Sequence, residues 1–414
     1  MYDPFADFDS TTMPSGLRVH VLHKPEIPFA RMQMVIHNGT NDDPTGKAGV
    51  AHFLEHMICA NSGKSLPEMI NYFADEGGGF TANTNHYRTC YGFVAPTNSS
   101  KFDEFLEFWT NAVVVNPIEN FFEREQGIIR SEIARSFPSA QVMQNNQTAH
   151  YLMFRGEPFG EAVSALGTKE SFDSIKVDDL LLQKQKMYLP QNMDVVCVGG
   201  LSLEQVVRKI DNTALSLTKT GCANQLLMKT SIVPSLIQPR FVGECNDRQN
   251  MGVANVQKAF MFPGVLSFET AELAARVLSE KLLQSLREDR GLVYSVSAMA
   301  ESFVGFTLLG LKATGFKNHE LSQVEEVISD ILETFRQDED AFREAKHQQL
   351  VDYLVMDMNL KSILNNVVKD LVHFRRIKPL SEEVAVYESV EHKELAQFDP
   401  YFTPDNMFTY VAHK

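Results

Sequence analysis

His52, Glu55 and His56 are the residues in this 414-residue chain whose types and spacing most directly suggest chemistry. They stand in the segment His52-Phe53-Leu54-Glu55-His56. Four residues of α-helix turn the chain through about 400°, so two histidines at this spacing lie on one face, one turn apart. Imidazoles placed this way can bind one metal ion, and the carboxylate beside them can reach a metal-bound water. The order His-x-x-Glu-His is the inverted form of a zinc motif. Val50, Ala51, Phe53, Leu54, Met57 and Ile58 make the segment apolar almost all round, so a buried helix is expected. Two imidazoles and a carboxylate in such a helix are costly unless they are paired or ligated. With twelve histidines in the chain, a motif this short also arises by chance, on a helix that simply carries two of them.

A catalytic zinc takes a third protein ligand and keeps one position open. A helix expected over 117–135, with Pro117 in its first turn, carries Glu125 and Glu132 two turns apart on one face. Ile128, Ile129 and Ile133 around Glu132 imply that its carboxylate points toward an apolar interior. Taken alone, this segment reads as an ordinary surface helix with Glu and Arg pairs, as Glu123 and Arg124 suggest.

Together these residues resemble the pitrilysin and insulysin family of zinc metallopeptidases, in particular its short two-domain bacterial and mitochondrial-processing-peptidase-like members. That family follows His-x-x-Glu-His with a glutamate ligand inside a Glu-x6-Glu pair. Here Glu132 lies 76 residues after His56, and Glu125 is the earlier member of the pair. The segments SGLRVHVL and AGVAHFLEHM match as well, and the likeness spans both halves of the chain. The resemblance implies His52, His56 and Glu132 as ligands of one zinc ion per chain. It implies Glu55 as general base and Glu125 as a carboxylate that orients a ligand histidine.

Two further segments carry the likeness. Gly77 to Thr84, GGGFTANT, is similar to the family's Gly-Gly-x-x-Asn-Ala-x-Thr element, an exposed strand edge that pairs with the substrate backbone. This implies Gly79, Phe80, Thr81, Ala82 and Asn83 as substrate-binding residues, with Thr81 standing where the family usually has Asn. Read bare, the glycines are a flexible turn; a phosphate loop does not fit, because no Gly-Lys-Ser/Thr follows. In the second half, Leu286 to Tyr294 resembles Arg-x-x-x-Gly-Leu-x-Tyr, whose arginine and tyrosine face the zinc across a closed chamber. Arg287 and Tyr294 are the matching positions. From their types alone they are a solvated helix-end charge and a core aromatic.

The elements that must position these groups are legible in outline. Strand patterns cover 17–21, 32–37, 84–94 and 194–198, the last ended by Gly199 and Gly200. Helical patterns cover 48–59, 67–74 and 101–113, where Phe102, Phe105, Leu106, Trp109 and Val113 recur at helical spacing. Between 212 and 235 the chain turns rich in Ser, Thr, Asn and Gly, a boundary signal. Phe121 to Glu125 finds an echo 220 residues later in Ala341 to Ala345, each after an amphipathic helix, which suggests a duplicated domain. The expectation is an N-terminal zinc-binding domain over 1–212, a linker over 213–239 and a homologous domain without the motif over 240–414. By resemblance the fold is α+β, each domain a mostly antiparallel sheet covered by helices.

Composition bounds the function. Hydrophobic residues make up 44% and charged residues 22%, as in ordinary globular proteins. No apolar run reaches the roughly 18 residues of a membrane-spanning helix, and the acidic, proline-broken start lacks the pattern of a secretory signal. Acidic residues outnumber basic ones 53 to 38, a net charge of −15, which disfavours nucleic acid and weakly suggests basic peptides. Five cysteines, an odd number with no Cys-x-x-Cys, read as reduced thiols of a cytoplasmic protein. His20, His23, His37 and His86 show no ligand partners, and Ser131 has no paired base.

The resemblance then implies a zinc metalloendopeptidase that hydrolyses peptides or small unfolded polypeptides in an enclosed chamber. Glu55 would carry a proton from water to the leaving amine. Two domains of ~200 residues supply half of the chamber that longer relatives build from four, so a homodimer is expected. The competing readings are a non-catalytic structural or partner subunit and a dedicated precursor-processing protease.

Overall fold

The computed structural model describes residues 3–64, 66–74, 78–136, 153–154, 165–217, 240–244, 253–264, 266–303, 305–354 and 359–413. The chain forms two compact units. The first comprises Met1–Arg135, Glu161–Met228 and Asp357–Leu380; the second comprises Ser136–Gly160, Lys229–Met356 and Ser381–Lys414. Each holds one sheet covered by helices, an α+β architecture.

The first sheet contains β1 (Asp9–Thr12), β2 (Arg18–His23), β3 (Phe29–Ile36), β4 (Gly79–Thr84), β5 (Thr89–Pro96) and β6 (Met193–Gly199), in the order β1-β2-β6-β3-β5-β4. Only β2 and β6 run parallel. β6, Met-Asp-Val-Val-Cys-Val-Gly, is buried at every position, as its almost continuous apolar run requires of an interior strand. The one charge in it, Asp194, accepts from the guanidinium of Arg18 at 2.7 and 2.9 Å, from His20 Nε2 at 3.1 Å and from His37. This buried knot ties β2, β3 and β6 together and accounts for two of the histidines left without partners by sequence.

Four helices frame the site: α1 (Val50–Ala60), α2 (Leu66–Ala74), α3 (Lys101–Thr110) and α4 (Phe122–Ser136). Two sequence expectations need correction here. The strand expected over 84–94 is a hairpin, β4 and β5. Asn85 closes its turn, its Oδ1 accepting the Tyr87 and Arg88 N–H groups at 2.9 and 3.0 Å, a local bond that competes with the ladder. The helix expected over 117–135 starts only at Phe122. Phe121 sits at φ 68, which a helix cannot continue through, so Pro117 lies outside it.

The domain expected over 240–414 also gives up a segment. Helix Leu360–Phe374 belongs to the first unit, where it packs on β6 and β3; Ile363, Leu364, Val367, Val368 and Leu371, at three- and four-residue spacing, are its buried stripe. The expected linker over 213–239 begins as a short helix, Ala214–Leu217; 218–239 lie outside the described residues.

The second unit holds β7 (Arg240–Glu244), β8 (Val253–Pro263), β9 (Ser295–Phe303), β10 (Phe306–Lys317) and β11 (Met407–His413), in the order β7-β11-β8-β10-β9. It too has a single parallel pair, β7 with β11. Helix Phe268–Leu282 covers β9 and β10, burying Leu273, Ala274, Val277 and Leu278. Among the described residues no helix is long and apolar enough to cross a membrane.

Candidate metal centre

α1 carries the His-x-x-Glu-His segment, and its start is built with unusual care. Gly49 sits at φ 104, and a Cβ there would meet the Leu166 carbonyl oxygen at 2.9 Å. The Asp43 carboxylate reaches over to accept the N–H groups of Gly49 and Ala51 at 2.7 and 2.8 Å, so a side chain outside the helix caps it. The sequence reading missed Asp43, because the bond spans a loop rather than the usual three-residue box. Phe53 anchors the helix against the rings of Phe122 and Phe172, 4.9 and 5.2 Å away, and thereby sets the first turn of α4 beside α1.

That contact brings the metal candidates together. The His52 and His56 rings lie 4.7 Å apart, inclined at 70°. One ligand-capable atom from each of His52, His56 and Glu132 falls within 4.8 Å of the others. His56 Nε2 is 3.8 Å from Glu132 Oε2, close to the roughly 3.3 Å spacing that tetrahedral bonds of ~2.0 Å produce. On its other side, His56 Nδ1 donates to Glu125 Oε2 at 3.2 Å. A carboxylate there fixes the tautomer and leaves Nε2 with its lone pair turned toward Glu132. Glu125 is itself held by Arg124, whose Nε donates to Oε1 at 2.9 Å. Glu132 is not in an apolar interior as its neighbours suggested: its side chain is 28% exposed, and Ile128 faces solvent. The helix turns Ile129 and Ile133 inward and Glu132 toward His56.

The electrostatics suit a cation. Burial, and then His56, hold His52 down to about 3, so its imidazole stays neutral, and its buried Nδ1 has no hydrogen-bond partner among the described residues. Burial pulls His56 down too, but the Glu125 bond and the charges of Glu132, Glu55 and Glu125 outweigh it and raise its pKa. A neutral His52, one of its ring nitrogens without a partner among the described residues, and a His56 drawn toward positive charge by three carboxylates fit a divalent cation better than an empty polar pocket.

Glu55 is buried, only 7% exposed, and its charge acts on His56 and Glu132. Burial raises its pKa, opposed by one bond: Thr84 Oγ1 donates to Glu55 Oε2 at 2.6 Å. Thr84 ends β4, so the edge strand is attached to this carboxylate. Sequence reasoning did not assign Thr84, although it is the last residue of the glycine-rich element.

Among the described residues β4 pairs only with β5, which leaves its other edge open. Gly79, Phe80, Thr81, Ala82 and Asn83 all lie on it, and Thr81 and Asn83 are exposed; Gly77 lies outside the described residues. Asn83 Oδ1 accepts from Arg88 at 2.7 Å.

Arg287 and Tyr294 belong to the second unit. Helix Phe268–Leu282 runs on as a wider turn to Glu288; Gly291, at φ 59, ends it, and the Tyr294 N–H bonds to the Thr314 carbonyl at 2.9 Å. The guanidinium lies 5.9 Å from the tyrosine ring. Tyr294 is 76% exposed, which removes the core-aromatic alternative. Ser131 Oγ donates to the Gly127 carbonyl, as an ordinary helix serine does. Cys59, Cys90 and Cys197 are free thiols; Cys222 and Cys245 lie outside the described residues.

The chain is similar to known peptidases in sequence and in fold. Residues 18–164 match the profile described as Insulinase (Peptidase family M16), and 174–349 match that of the Peptidase M16 inactive domain. An uncharacterised zinc protease of Streptomyces coelicolor is 26% identical over 338 residues, covering 78% of this chain and 71% of its own. Among solved structures, a putative M16-like peptidase from Alicyclobacillus acidocaldarius superposes with TM-score 0.81 at 18% identity, over 98% of each chain. A protease from Helicobacter pylori does so with TM-score 0.80 at 16% identity, over the whole of both.

Proposed function

This chain belongs to the insulinase family, peptidase family M16, and on that footing we propose that it is a zinc-dependent endopeptidase acting on peptides or small unfolded polypeptides. The observation that carries the reading is the meeting of His52, His56 and Glu132 beside a buried Glu55. His52, His56 and Glu132 would hold one zinc ion per chain, and Glu125 would steady His56. When bound, zinc supplies Lewis acidity, polarising a peptide carbonyl and acidifying water.

The chain's own residues do the rest. The open edge of β4 grips the substrate backbone through main-chain hydrogen bonds, whatever its side chains. Glu55, with its raised pKa, takes the proton from the attacking water and returns it to the leaving amine. Thr84 keeps that carboxylate aimed. Arg287 and Tyr294 are assigned to the substrate from the second unit, Tyr294 as donor to the developing oxyanion and Arg287 as a cationic fork. A homodimer completes the chamber, and a strictly monomeric, fully active protein in light scattering would exclude it.

The test is a peptide library incubated with the zinc-loaded protein and read by mass spectrometry. Cleavage by the parent protein, absent in Glu55→Gln with zinc retained, is expected. A library left intact by the parent would favour a non-catalytic partner subunit.

A further inference from the structure

Against the face of the first sheet opposite α1 lies a cavity of about 360 Å³, lined by Arg31, Gln33, Thr81, Asn83, Lys361 and Asn365 among others. Its origin is in the sequence. Phe80 packs on Phe73 and Trp109 in the helical layer, so the alternate residues Thr81 and Asn83 face the other way. Gln33, Gly92 and Thr81 stand in register across β3, β5 and β4, and so do Arg31, Val94 and Gly79. Glycine at 79 leaves the space unfilled, since a Cβ there would meet nothing within 4 Å, whereas one at Gly92 would strike the Met32 carbonyl oxygen at 2.7 Å.

The charge there is one-sided in a chain whose net charge is −15. No carboxylate lines the cavity among the described residues. Arg31 is half-buried, and burial alone lowers its pKa, with no acid opposing it. Neither Arg31 nor Lys361 has an ion-pair partner among the described residues. Gln33, 6% exposed, keeps a buried Oε1 with no hydrogen-bond partner among the described residues and lines the cavity with those cations. Lys369 and Arg88 extend the basic strip past the cavity: after burial, they are what holds His373 down to about 4.

A strand added to the open edge of β4 continues its pleat, so every second side chain projects toward this cavity. The positions opposite Asn83 and Thr81 lie one and three residues from the position opposite Thr84, where Glu55 is held. We infer that the cavity is a specificity pocket for an acidic side chain, Glu or Asp, within three residues of the cleaved bond, received by Arg31 and Lys361. The protein would then select acidic peptides despite its own net charge. This rests on the peptidase reading and on a substrate strand at β4.

The experiment takes one cleaved peptide and resynthesises it with Glu, Gln or Lys at each position within three residues of the cut. Cleavage of the three forms is compared by kcat/KM, and binding of labelled forms to Glu55→Gln by fluorescence anisotropy. At one position Glu should exceed Gln by about tenfold and Lys by more, the scale of a charge-assisted hydrogen bond. Arg31→Gln and Lys361→Gln should each shrink the Glu-to-Gln ratio, and high salt should do the same. Lys361 is exposed on its helix, so that variant does not threaten the fold. Equal cleavage of all forms, or a Glu preference that survives both substitutions, overturns the pocket and leaves the peptidase reading intact. If no peptide of the library is cut, a single unstructured decapeptide in its three forms replaces the substrate in the binding assay. A Glu preference there with no cleavage sinks the peptidase reading and sustains the pocket; no preference there overturns the pocket as well.

Discussion

Thr84 Oγ1 donates to Glu55 Oε2 across 2.6 Å, so the last residue of the open edge strand directly holds the buried carboxylate of α1. A peptide paired with that strand would therefore be coupled through this bond to the carboxylate proposed as general base. Thr84→Val should leave zinc content unchanged and lower kcat by roughly tenfold, the loss of one hydrogen bond to a charged group. Thr84→Ser should restore most of it. Equal activity in the valine and serine variants would remove Thr84 from the mechanism.

The ligand assignment has a direct test in metal content. The parent protein should bind about one zinc per chain, and His52→Ala or Glu132→Gln should release it. Glu55→Gln should keep the metal while turnover falls at least ~10²-fold, the usual scale for a general base. Full zinc occupancy in His52→Ala would show that the metal sits elsewhere.

Glu125 Oε2 accepts from His56 Nδ1 at 3.2 Å, which fixes the tautomer of that ring. Glu125→Gln should weaken zinc affinity by about 10- to 100-fold in competition with a chelator. Activity at saturating zinc should fall far less than in Glu55→Gln. An unchanged zinc affinity would mean that His56 is oriented by packing alone.

Stability should fall in mild acid through the Asp194 knot. Burial, only partly offset by Asp194, holds His37 down to about 4 against 6.5 in the unfolded chain. The unfolded state thus binds the extra proton first, and stability is lost as pH falls from about 6.5 toward 4. His37 accounts for on the order of 3 kcal/mol across that window. Asp194 is depressed: burial pushes it up, but its bonds to His20, His37 and Arg18 outweigh that. Its share is therefore present above the usual carboxylate pKa and lost only below it. Melting curves from pH 7 to pH 4 should be flatter for His37→Gln than for the parent; parallel curves would refute the assignment.

Exposure makes Tyr294 a clean probe. Tyr294→Phe should leave zinc content and melting temperature unchanged while kcat falls by roughly 10²-fold, as for one lost oxyanion donor. Arg287→Ala should act mainly on KM. Full specific activity in Tyr294→Phe would end its assignment to the reaction.

What could be read from the sequence was what repeats locally. The histidine pair follows from helical period, and α1 and β6 follow from apolar runs that admit only burial. The start of α4 was missed because Phe121 breaks the helix through its backbone angle, which no side-chain pattern records. The β4–β5 turn was missed because Asn85 closes it with a bond that competes with an otherwise continuous strand pattern. The direction of Glu132 depended on the helix's rotation about its axis, fixed by Phe53 against Phe122 rather than by its own neighbours. Asp43 and Thr84 act across loops, and the cavity beside Gly79 exists through a side chain that is absent.

Helix Leu360–Phe374 closes the first sheet with residues made some 160 positions after its last strand, β6. During synthesis the first unit therefore cannot finish folding when its own strands have emerged. The apolar face of β6 and β3 stays bare until that helix has also left the ribosome. A fragment cut anywhere between 218 and 355 carries every candidate zinc ligand yet exposes that face. It is expected to be sticky and to need the helix, supplied in trans as a peptide, to become a soluble particle.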